Sequence, residues 1–249
     1  MTAPIIDLDT VDSTNLEARR RIAAGAVDGT VVTARQQTGG LARRGRTWTS
    51  PPGNLYWSRI SYPAPTWPPV WGLSMVCGLA VLDLACAALP DDVAVTLKWP
   101  NDVLVEGAKV AGILLESGES GGRPWVISGI GINLVSAPST GLLYAATDLR
   151  SSGAEDIDRD RAAGDLAGHF DRRLAAYLAG GLPAIRAAVL DHLAGLDEPI
   201  VARISDDPDQ NVAGTLRGLD AQCRAEIETA DGTVRAIAAG DLFFGAGRA

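Results

Sequence analysis

The sequence predicts an α+β fold: a mixed, largely antiparallel sheet backed by helices, followed by a small C-terminal β-barrel. Two observations support this prediction. Strand-like and helical segments mix over residues 1–195 without the strict strand-helix-strand repeat of a doubly wound fold. Beyond Gly195 the helical spacing stops, and only short apolar segments separated by turn residues follow. We therefore expect two domains, residues 1–195 and 196–249.

The elements of the first domain follow from apolar spacing and from residues that begin or end helices. Thr14 and Glu17 have the spacing of a capping box, so a helix is expected to begin there and to end at Gly25. The run 70–89 has helical spacing and ends before Pro90. The other predicted elements are strands over 30–35, 54–61, 93–99 and 125–135, a hairpin of 103–105 with 110–115, and helices over 158–178 and 182–194.

The second domain is predicted to be a five-stranded barrel. Asp231-Gly232 is a hairpin signal between two of its strands. A barrel of about 50 residues is only marginally stable alone, so we expect it to pack on the larger domain. Its predicted strands cover 199–204, 212–217, 222–229, 233–238 and 242–243.

Composition and charge exclude several classes of protein. A formal net charge of -8 and 47% apolar residues are typical of an ordinary globular protein and argue against nucleic acid as the main partner. The three cysteines show no CxxC spacing, and the N-terminus lacks the regions of a signal peptide. The longest uncharged apolar run, 70–82, is too short to cross a membrane. A cytoplasmic protein without a membrane partner is therefore expected.

The two histidines do not indicate a site. His169 and His192 both fall in alanine- and leucine-rich helical segments, and neither lies near a polar motif. We interpret them as partly exposed helix residues. A histidine-based triad and a histidine-rich metal site are therefore not predicted.

A glycine- and arginine-rich loop over 36–48 is the strongest local signal. No Asp or Glu lies between Asp28 and Asp83, whereas five arginines do, and such a cluster concentrates its field on small anions such as phosphate. Residues 40–47 formally resemble a P-loop with arginine in place of its lysine, but they lead into a strand instead of a helix. Two alternatives remain: a solvated basic surface loop, and a flexible loop whose arginines bind phosphate bidentately.

A second motif, Lys-Trp-Pro-Asn-Asp at 98–102, follows a predicted strand. Pro100 ends the strand and places Asn101 and Asp102 in a turn with their polar groups free. Taken alone, an ordinary turn explains this motif equally well. Lys109 follows in an otherwise apolar strand, so its amine must reach the sheet edge or face a polar cavity.

Five motifs, in order, resemble those of the biotin protein ligase family. They are Asp-Ser-Thr-Asn at 12–15, Gln36 with the Gly/Arg loop, Lys-Trp-Pro-Asn-Asp at 98–102, Lys-Val-Ala-Gly-Ile-Leu at 109–114 and Gly-Ile-Gly-Ile-Asn-Leu at 129–134. The resemblance implies a catalytic domain like that of class II aminoacyl-tRNA synthetases and an SH3-like C-terminal barrel. It also implies the short type of ligase, without an N-terminal DNA-binding domain, because the first motif begins at residue 12.

The family activates biotin with ATP and Mg²⁺ to biotinyl-5′-AMP, releases pyrophosphate, and transfers biotin to a lysine of a carrier protein. The resemblance therefore implies biotin, ATP and the biotin carboxyl carrier domain of a biotin-dependent carboxylase as partners. It is compatible with a monomer or a weak ligand-dependent homodimer. Because the first step brings two anions together, charge neutralisation and alignment are expected to be the main catalytic task.

The resemblance also implies roles for individual residues. The expected catalytic residues are Arg43, Lys109 and Asp102. The expected biotin contacts are Ser13, Thr14, Asn15, Gln36, Arg43, Lys109 and Gly112. The expected ATP and adenylate contacts are Arg43, Arg44, Arg46, Trp48, Lys98, Asn101, Asp102 and Asn133. Magnesium is expected with ATP near Asn101 and Asp102, without a firm set of ligands.

The loop departs from the family pattern in its first half. The family loop reads Gly-Arg-Gly-Arg-Arg-Gly-Arg, whereas residues 39–46 read Gly-Gly-Leu-Ala-Arg-Arg-Gly-Arg, so the resemblance implies no role for residues 39–42. Two rival functions are weighed. A lipoate or octanoate ligase shares the general architecture, although the two basic motifs favour biotin. A biotin-sensing DNA-binding repressor would need a module for which the position of the first motif leaves no room.

Overall fold

The protein is built on two β-sheets, which confirms the predicted α+β class. The computed structural model describes residues 4–140, 144–205 and 207–244. Its elements are β1 (Ile5–Val11), α1 (Thr14–Ala23), β2 (Val31–Gln37), β3 (Leu55–Ser61), α2 (Leu73–Ala88), β4 (Val95–Lys98), β5 (Asp102–Val105), β6 (Ala108–Ser120), β7 (Arg123–Ile132), α3 (Arg159–Leu190), β8 (Pro199–Arg203), β9 (Val212–Leu219), β10 (Ala225–Glu228), β11 (Val234–Ile237) and β12 (Asp241–Phe244). Short 3-10 helices cover Arg43–Gly45, Val70–Gly72 and Pro208–Gln210.

The larger sheet has the strand order β1-β2-β3-β7-β6-β5-β4, and the smaller has the order β11-β10-β9-β8-β12. The β1–β2 pair is parallel, and the other described pairs are antiparallel. The sequence does not predict β1, because an edge strand with mostly exposed side chains lacks apolar alternation. Its register, Val11 beside Gln37, brings the start of α1 next to the end of β2.

Helix α2 forms the centre of the core, between the larger sheet and α3. It lies within the predicted helical run 70–89 and contains Asp83, whose carboxylate Arg173 of α3 binds with two contacts of 2.8 and 2.6 Å. By length and composition alone, two helical stretches could cross a membrane, Val70–Ala88 and Arg159–Leu190. The first is largely buried inside the fold. The second has non-helical dihedral angles at Gly181, where two predicted helices meet.

Helix α1 begins where the sequence predicts, but its capping differs. The N-cap residue is Ser13, and no side chain makes a capping hydrogen bond, so the predicted capping box is wrong. The Thr14 amide instead donates to Gln37 Oε1 at 2.8 Å. Glu17 pairs with Arg20 and Arg21 of its own helix. The first turn of α1 is therefore joined to the end of β2.

A β-bulge interrupts the pairing of β5 with β6. Val103 pairs with Ala111, but the next residue, Leu104, pairs with Lys109, which leaves Val110 as the extra residue. A bulge reverses the side-chain alternation beyond it. Lys109 therefore faces the same side of the sheet as Gly112, three positions along, where a Cβ atom would lie 3.2 Å from Lys109 Nζ.

The smaller sheet packs against the larger unit through specific hydrogen bonds. The indole N–H of Trp99 donates to the Cys223 carbonyl at 3.0 Å, and Arg186 of α3 donates to the Leu219 carbonyl at 2.8 Å. The sequence predicts all five of these strands. The domain boundary at residue 195 stays a prediction.

Candidate active site

A cavity of about 520 Å³ opens over one face of the larger sheet. Strands β6 and β7 form its floor. The start of α1, the end of β2 and the loop 41–49 line its walls. Further lining residues are Pro138, Thr140, Tyr144, Ala146 and Asp241 of β12. The cavity therefore collects residues from all five motifs and from the smaller sheet.

Glycines shape the floor of this cavity. Gly112 of β6 and Gly131 of β7 are paired across the two strands. A Cβ atom on Gly131 would lie 2.6 Å from Nε1 of Trp48, and one on Gly112 would lie 3.0 Å from Cζ3 of the same indole. The Trp48 ring therefore rests on bare backbone, which only glycine permits at this close approach.

Neutral polar side chains gather at the end of β2, the start of α1 and the middle of β3, and all of them except Ser13 are joined by side-chain hydrogen bonds. We call Ser13, Thr14, Asn15, Gln37 and Ser58 the neutral cluster. Gln37 accepts from the Thr14 amide and donates through Nε2 to Ser50 Oγ at 2.8 Å, and Ser50 donates to the Trp48 carbonyl at 2.8 Å. This path connects the neutral cluster to the arginine loop.

Asn15 lies deepest in the neutral cluster. Its Oδ1 is 2.6 Å from Ser58 Oγ, and its Nδ2 donates to Glu116 of β6 at 2.9 Å. The amide rests against Gly129, where any Cβ atom would collide with it. Ser13, Thr14, Asn15 and Ser58 are all buried.

Ion pairs dominate the other part of the cavity. We call Arg43, Arg46, Asp102, Lys109 and Asp241 the charged cluster. Lys109 Nζ lies 2.6 Å from Asp102 Oδ1, and its ammonium is 5.3 Å from the Trp48 ring centroid. The Tyr144 hydroxyl donates to Asp102 Oδ2 at 2.9 Å. Both oxygens of this buried carboxylate are thus engaged.

The loop arginines divide between the cavity and the smaller sheet. Arg43 donates to Asn101 Oδ1 at 2.8 Å and lies 3.6 Å from Asp241, while Arg46 lies 3.3 Å from the same carboxylate. Burial lowers the pKa of Arg43, an effect that Asp241 and Asp102 oppose. Arg44 adopts a left-handed conformation with φ 57° and donates to the Arg203 and Ile204 carbonyls, while its Nη1 lies 4.0 Å from Asp241 Oδ2.

Lys98 lies behind the cavity wall. Its ammonium is 3.2 Å from the Tyr144 ring centroid and 5.6 Å from that of Phe243. The residue is buried, and this burial lowers the pKa of Lys98 to about 8, although Asp102 opposes the shift. Such a cation bound by aromatic rings is held between the two sheets.

Two buried polar atoms on the cavity wall have neither a hydrogen-bond partner nor an ion-pair partner within the described part of the chain; Asp102 Oδ1, which also lacks a hydrogen bond, is paired with Lys109. The two atoms are Trp48 Nε1, a donor, and Asn133 Oδ1, an acceptor. The Asn133 amide is held in place because its Nδ2 donates to the Thr147 carbonyl at 3.1 Å. Buried polar groups are normally paired, so these two indicate that the cavity receives a polar ligand.

Comparison with known proteins shows the family to which this chain belongs. Residues 8–133 match the Biotin/lipoate A/B protein ligase family, and residues 196–245 match the Biotin protein ligase C terminal domain. The chain belongs to this family. It is 36% identical to the biotin--[acetyl-CoA-carboxylase] ligase of Paracoccus denitrificans over 96% of this chain and 99% of that one, and 33% identical to the Mycobacterium tuberculosis ligase of the same name over 92% and 85%.

Solved structures of the family have the same fold. A biotin protein ligase from Aquifex aeolicus in complex with biotin and ATP has a TM-score of 0.80 at 28% identity, covering 96% of this chain and 97% of that one. A ligase from Leishmania major in complex with biotinyl-5-AMP has a TM-score of 0.62 at 26% identity, covering 94% and 98%. Likeness to the family therefore covers both sheets.

Most residues that the resemblance singles out line the cavity, with three exceptions. Gln36 is exposed on the outer side of β2, and Gln37 faces the cavity instead, because successive side chains of a strand point to opposite faces. Arg44 is exposed and bound to the smaller sheet, and Lys98 is buried behind Tyr144. Gln37, and not Gln36, therefore lines the cavity, while the expected role of Gln36 as a biotin contact stays a prediction.

Sequence reasoning missed several residues of this site. Tyr144 and Asp241 lie outside the family motifs quoted above, and Ser58 and Glu116 are single polar residues in strands, where an exposed position is the usual interpretation. For Ser50 and Gln37 alone, position in the sequence was a clue to the site, because Gln37 lies in the arginine loop and Ser50 lies next to it. Residues 39–42 are those at which the loop departs from the family pattern. The structure explains Gly40 among them, because a Cβ atom there would lie 2.6 Å from Ser50 Oγ and 3.0 Å from Gln37 Nε2.

Proposed function

We propose that this protein converts biotin and ATP to biotinyl-5′-AMP with release of pyrophosphate, and then transfers biotin to a lysine of a biotin carboxyl carrier domain. One observation carries the proposal: a single cavity places the neutral cluster beside the charged cluster. A substrate with a neutral polar head and a carboxylate tail matches both. The curated relatives named above, and the solved complexes with biotin, ATP and biotinyl-5-AMP, have this chemistry in their names.

In the first step a carboxylate oxygen of biotin bonds to the α-phosphorus of ATP while the bond from that phosphorus to pyrophosphate breaks. Two anions must approach each other, so catalysis requires positive charge close to both. Lys109 lies on the cavity face of β6 and would bind the carboxylate and the α-phosphate. Arg43 and Arg46 would bind phosphate oxygens with their planar guanidinium groups, in place of Asp241.

Asp102 holds the Lys109 ammonium at 2.6 Å before the reactants bind. In the second step the amine of the carrier lysine attacks the carbonyl carbon of the mixed anhydride, and AMP leaves. The attacking nitrogen must lose a proton, and Asp102 is the carboxylate nearest to Lys109 that can accept or orient it. Tyr144 keeps its proton, because burial raises the pKa of its hydroxyl, and so remains a donor to Asp102.

Asn133 and Trp48 supply the polar contacts for the adenylate. The free acceptor on Asn133 and the free donor on the Trp48 ring, both among the described residues, match a ligand that carries N–H groups and acceptor atoms. The flat Trp48 indole, resting on Gly112 and Gly131, also offers a stacking surface.

The described residues offer little to bind Mg²⁺ directly. No group of three or more His, Cys, Asp and Glu side chains comes together among them. Asp102 is engaged by Lys109 and Tyr144, and Asn101 Oδ1 accepts from Arg43. Magnesium would therefore enter with the triphosphate, whose oxygens would supply most of its ligands.

We also propose that the protein acts in the cytoplasm and binds neither nucleic acid nor a membrane. The net charge of -8 supports this, because nucleic acid and anionic lipid both select basic surfaces. The state of association, a monomer or a weak ligand-dependent homodimer, stays a prediction. Sedimentation with and without biotin plus ATP would measure it.

The test is isotope exchange between ATP and pyrophosphate. We expect exchange that depends on biotin, and mass spectrometry should find biotinyl-5′-AMP in the cavity, followed by transfer to a carrier domain. Lipoate and octanoate are the comparison substrates. Exchange supported by lipoate and not by biotin would overturn the proposal in favour of the lipoate branch of the family.

A further inference from the structure

Glu116 lies behind the neutral cluster, and the chemistry above gives it no role. Its Oε2 accepts from Asn15 Nδ2 at 2.9 Å, and its Oε1 pairs with Arg19 of α1 at the surface. The side chain is only 16% exposed, and it points to the cavity side of β6, where Gly112 also lies. A carboxylate in this position must have its inner oxygen satisfied by a donor.

The protons around Asn15 can be ordered from chemistry alone. A carboxylate oxygen only accepts, so Asn15 must turn its NH₂ group toward Glu116 and its Oδ1 toward Ser58. An amide oxygen also only accepts, so the single proton of Ser58 goes to Asn15. The Thr14 hydroxyl then supplies the proton of its 2.8 Å contact with Ser58, for which Gln37 Oε1, at 3.2 Å, is the longer competing acceptor.

The opposite orientation of the Asn15 amide is excluded. It would place Oδ1 against the Glu116 carboxylate, so that two acceptors would meet. Ser58 could turn its proton to Thr14 and accept from the NH₂ group, so only the contact with Glu116 would be lost, at a cost of about 1–3 kcal/mol for buried groups left unsatisfied. Glu116 therefore selects one orientation of Asn15 and leaves the second Nδ2 proton available as a donor.

We infer that Glu116 is a positioning residue that fixes the Asn15 carboxamide as a hydrogen-bond donor to a cyclic urea. This inference rests on the proposed function, because it takes the neutral cluster as the binding site of the ureido ring of biotin. A urea carbonyl accepts only, and a donor of fixed orientation distinguishes it from an apolar ring of similar size. Glu116 acts on biotin through Asn15, without touching the ligand.

The experiment measures steady-state constants of biotin-dependent ATP–pyrophosphate exchange. Glu116→Ala should raise the KM for biotin about tenfold, while kcat and the KM for ATP stay within about twofold, because one neutral contact is lost.

Glu116→Gln retains an acceptor for Asn15 and should stay close to wild type. Arg19→Ala removes only the surface ion pair and should also stay close to wild type. Glu119→Ala, which removes an exposed carboxylate three positions further along β6, is the matched control.

A double-mutant cycle with Asn15→Ala decides whether Glu116 acts through Asn15. In the Asn15→Ala background, Glu116→Ala should change the KM for biotin by less than about twofold, because the contact is already gone. Full additivity, or an unchanged KM for biotin in Glu116→Ala, would overturn the inference. If the wild-type protein shows no biotin-dependent exchange at all, the proposed function fails, which is a separate outcome.

Discussion

The neutral cluster and the charged cluster share one cavity but are built on different principles. In the neutral cluster, uncharged and buried side chains satisfy one another, and their protons follow a single order from Thr14 through Ser58 and Asn15 to Glu116. In the charged cluster, arginines and Lys109 are paired with carboxylates that a ligand anion can replace. One cluster selects a shape and a hydrogen-bond pattern, and the other supplies charge.

This difference predicts different responses to salt and to mutation. Ion pairs that are partly exposed weaken as ionic strength rises, whereas buried neutral hydrogen bonds do not. The KM for ATP should therefore rise with salt more than the KM for biotin. Variants of the charged cluster should mainly affect the nucleotide, and variants of the neutral cluster should mainly affect biotin.

The largest effect is expected at the charged cluster. Arg43→Ala removes a half-buried cation that contacts Asn101 and Asp241, so kcat/KM for ATP in pyrophosphate exchange should fall about 10- to 100-fold, as for other charge-assisted contacts. Arg44→Ala is the matched control, since this arginine is bound to carbonyls of the smaller sheet. Equal losses in both variants would show that the loop acts only through its net charge.

An intermediate effect is expected at the neutral cluster. Gln37→Met leaves the Thr14 amide and Ser50 without their partner, so the KM for biotin should rise about tenfold at an unchanged KM for ATP. Gln36→Met, on the exposed side of the same strand, should have little effect. A stronger effect of Gln36→Met would support the assignment made from the family motif.

The smallest effect concerns stability and Lys98. Burial lowers the pKa of Lys98 from 10.5 to about 8, so between these pH values the unfolded chain binds more protons than the folded protein. The free energy of unfolding contributed by Lys98 must therefore rise with pH across this window, by about 1–3 kcal/mol. Lys98→Met should remove this rise. Urea unfolding of both proteins at pH 7, 8, 9 and 10 measures it, and identical slopes would contradict the assignment.

Local signals predicted much of the fold. The helix α2 and the five strands of the smaller sheet follow from spacing and turn residues that act within a few positions. Strand β1 is not predicted because this edge strand gains its stability from pairing with β2, and the residues of β1 show no pattern that reveals this pairing. The capping-box prediction is wrong for a related reason. The Thr14 amide, which Glu17 would bind in a capping box, donates instead to Gln37, a residue distant in sequence.

The site was predictable where a motif carried the residues, and it was not where two distant segments meet. The sequence predicts that Lys109 faces either a sheet edge or a polar cavity. The bulge at Val110 turns Lys109 toward the cavity, and no residue near Val110 in the sequence predicts a bulge. Gln36 and Gln37 are chemically identical, so only the strand register separates them. Asp241 and Tyr144 enter the site through tertiary packing of segments that the motifs do not include.

Strand β6 has one more consequence. It carries Lys109 beside the charged cluster and Glu116 behind the neutral one, with Gly112 between them on the same face of the sheet. A strand advances about 3.3 Å per residue and stretches very little, so the separation of the two clusters is fixed by the backbone itself. An acid with a shorter or longer tail could not reach both clusters at once. The backbone of β6 thus sets the substrate length that the proposed function requires, and no additional side chain is needed to measure it.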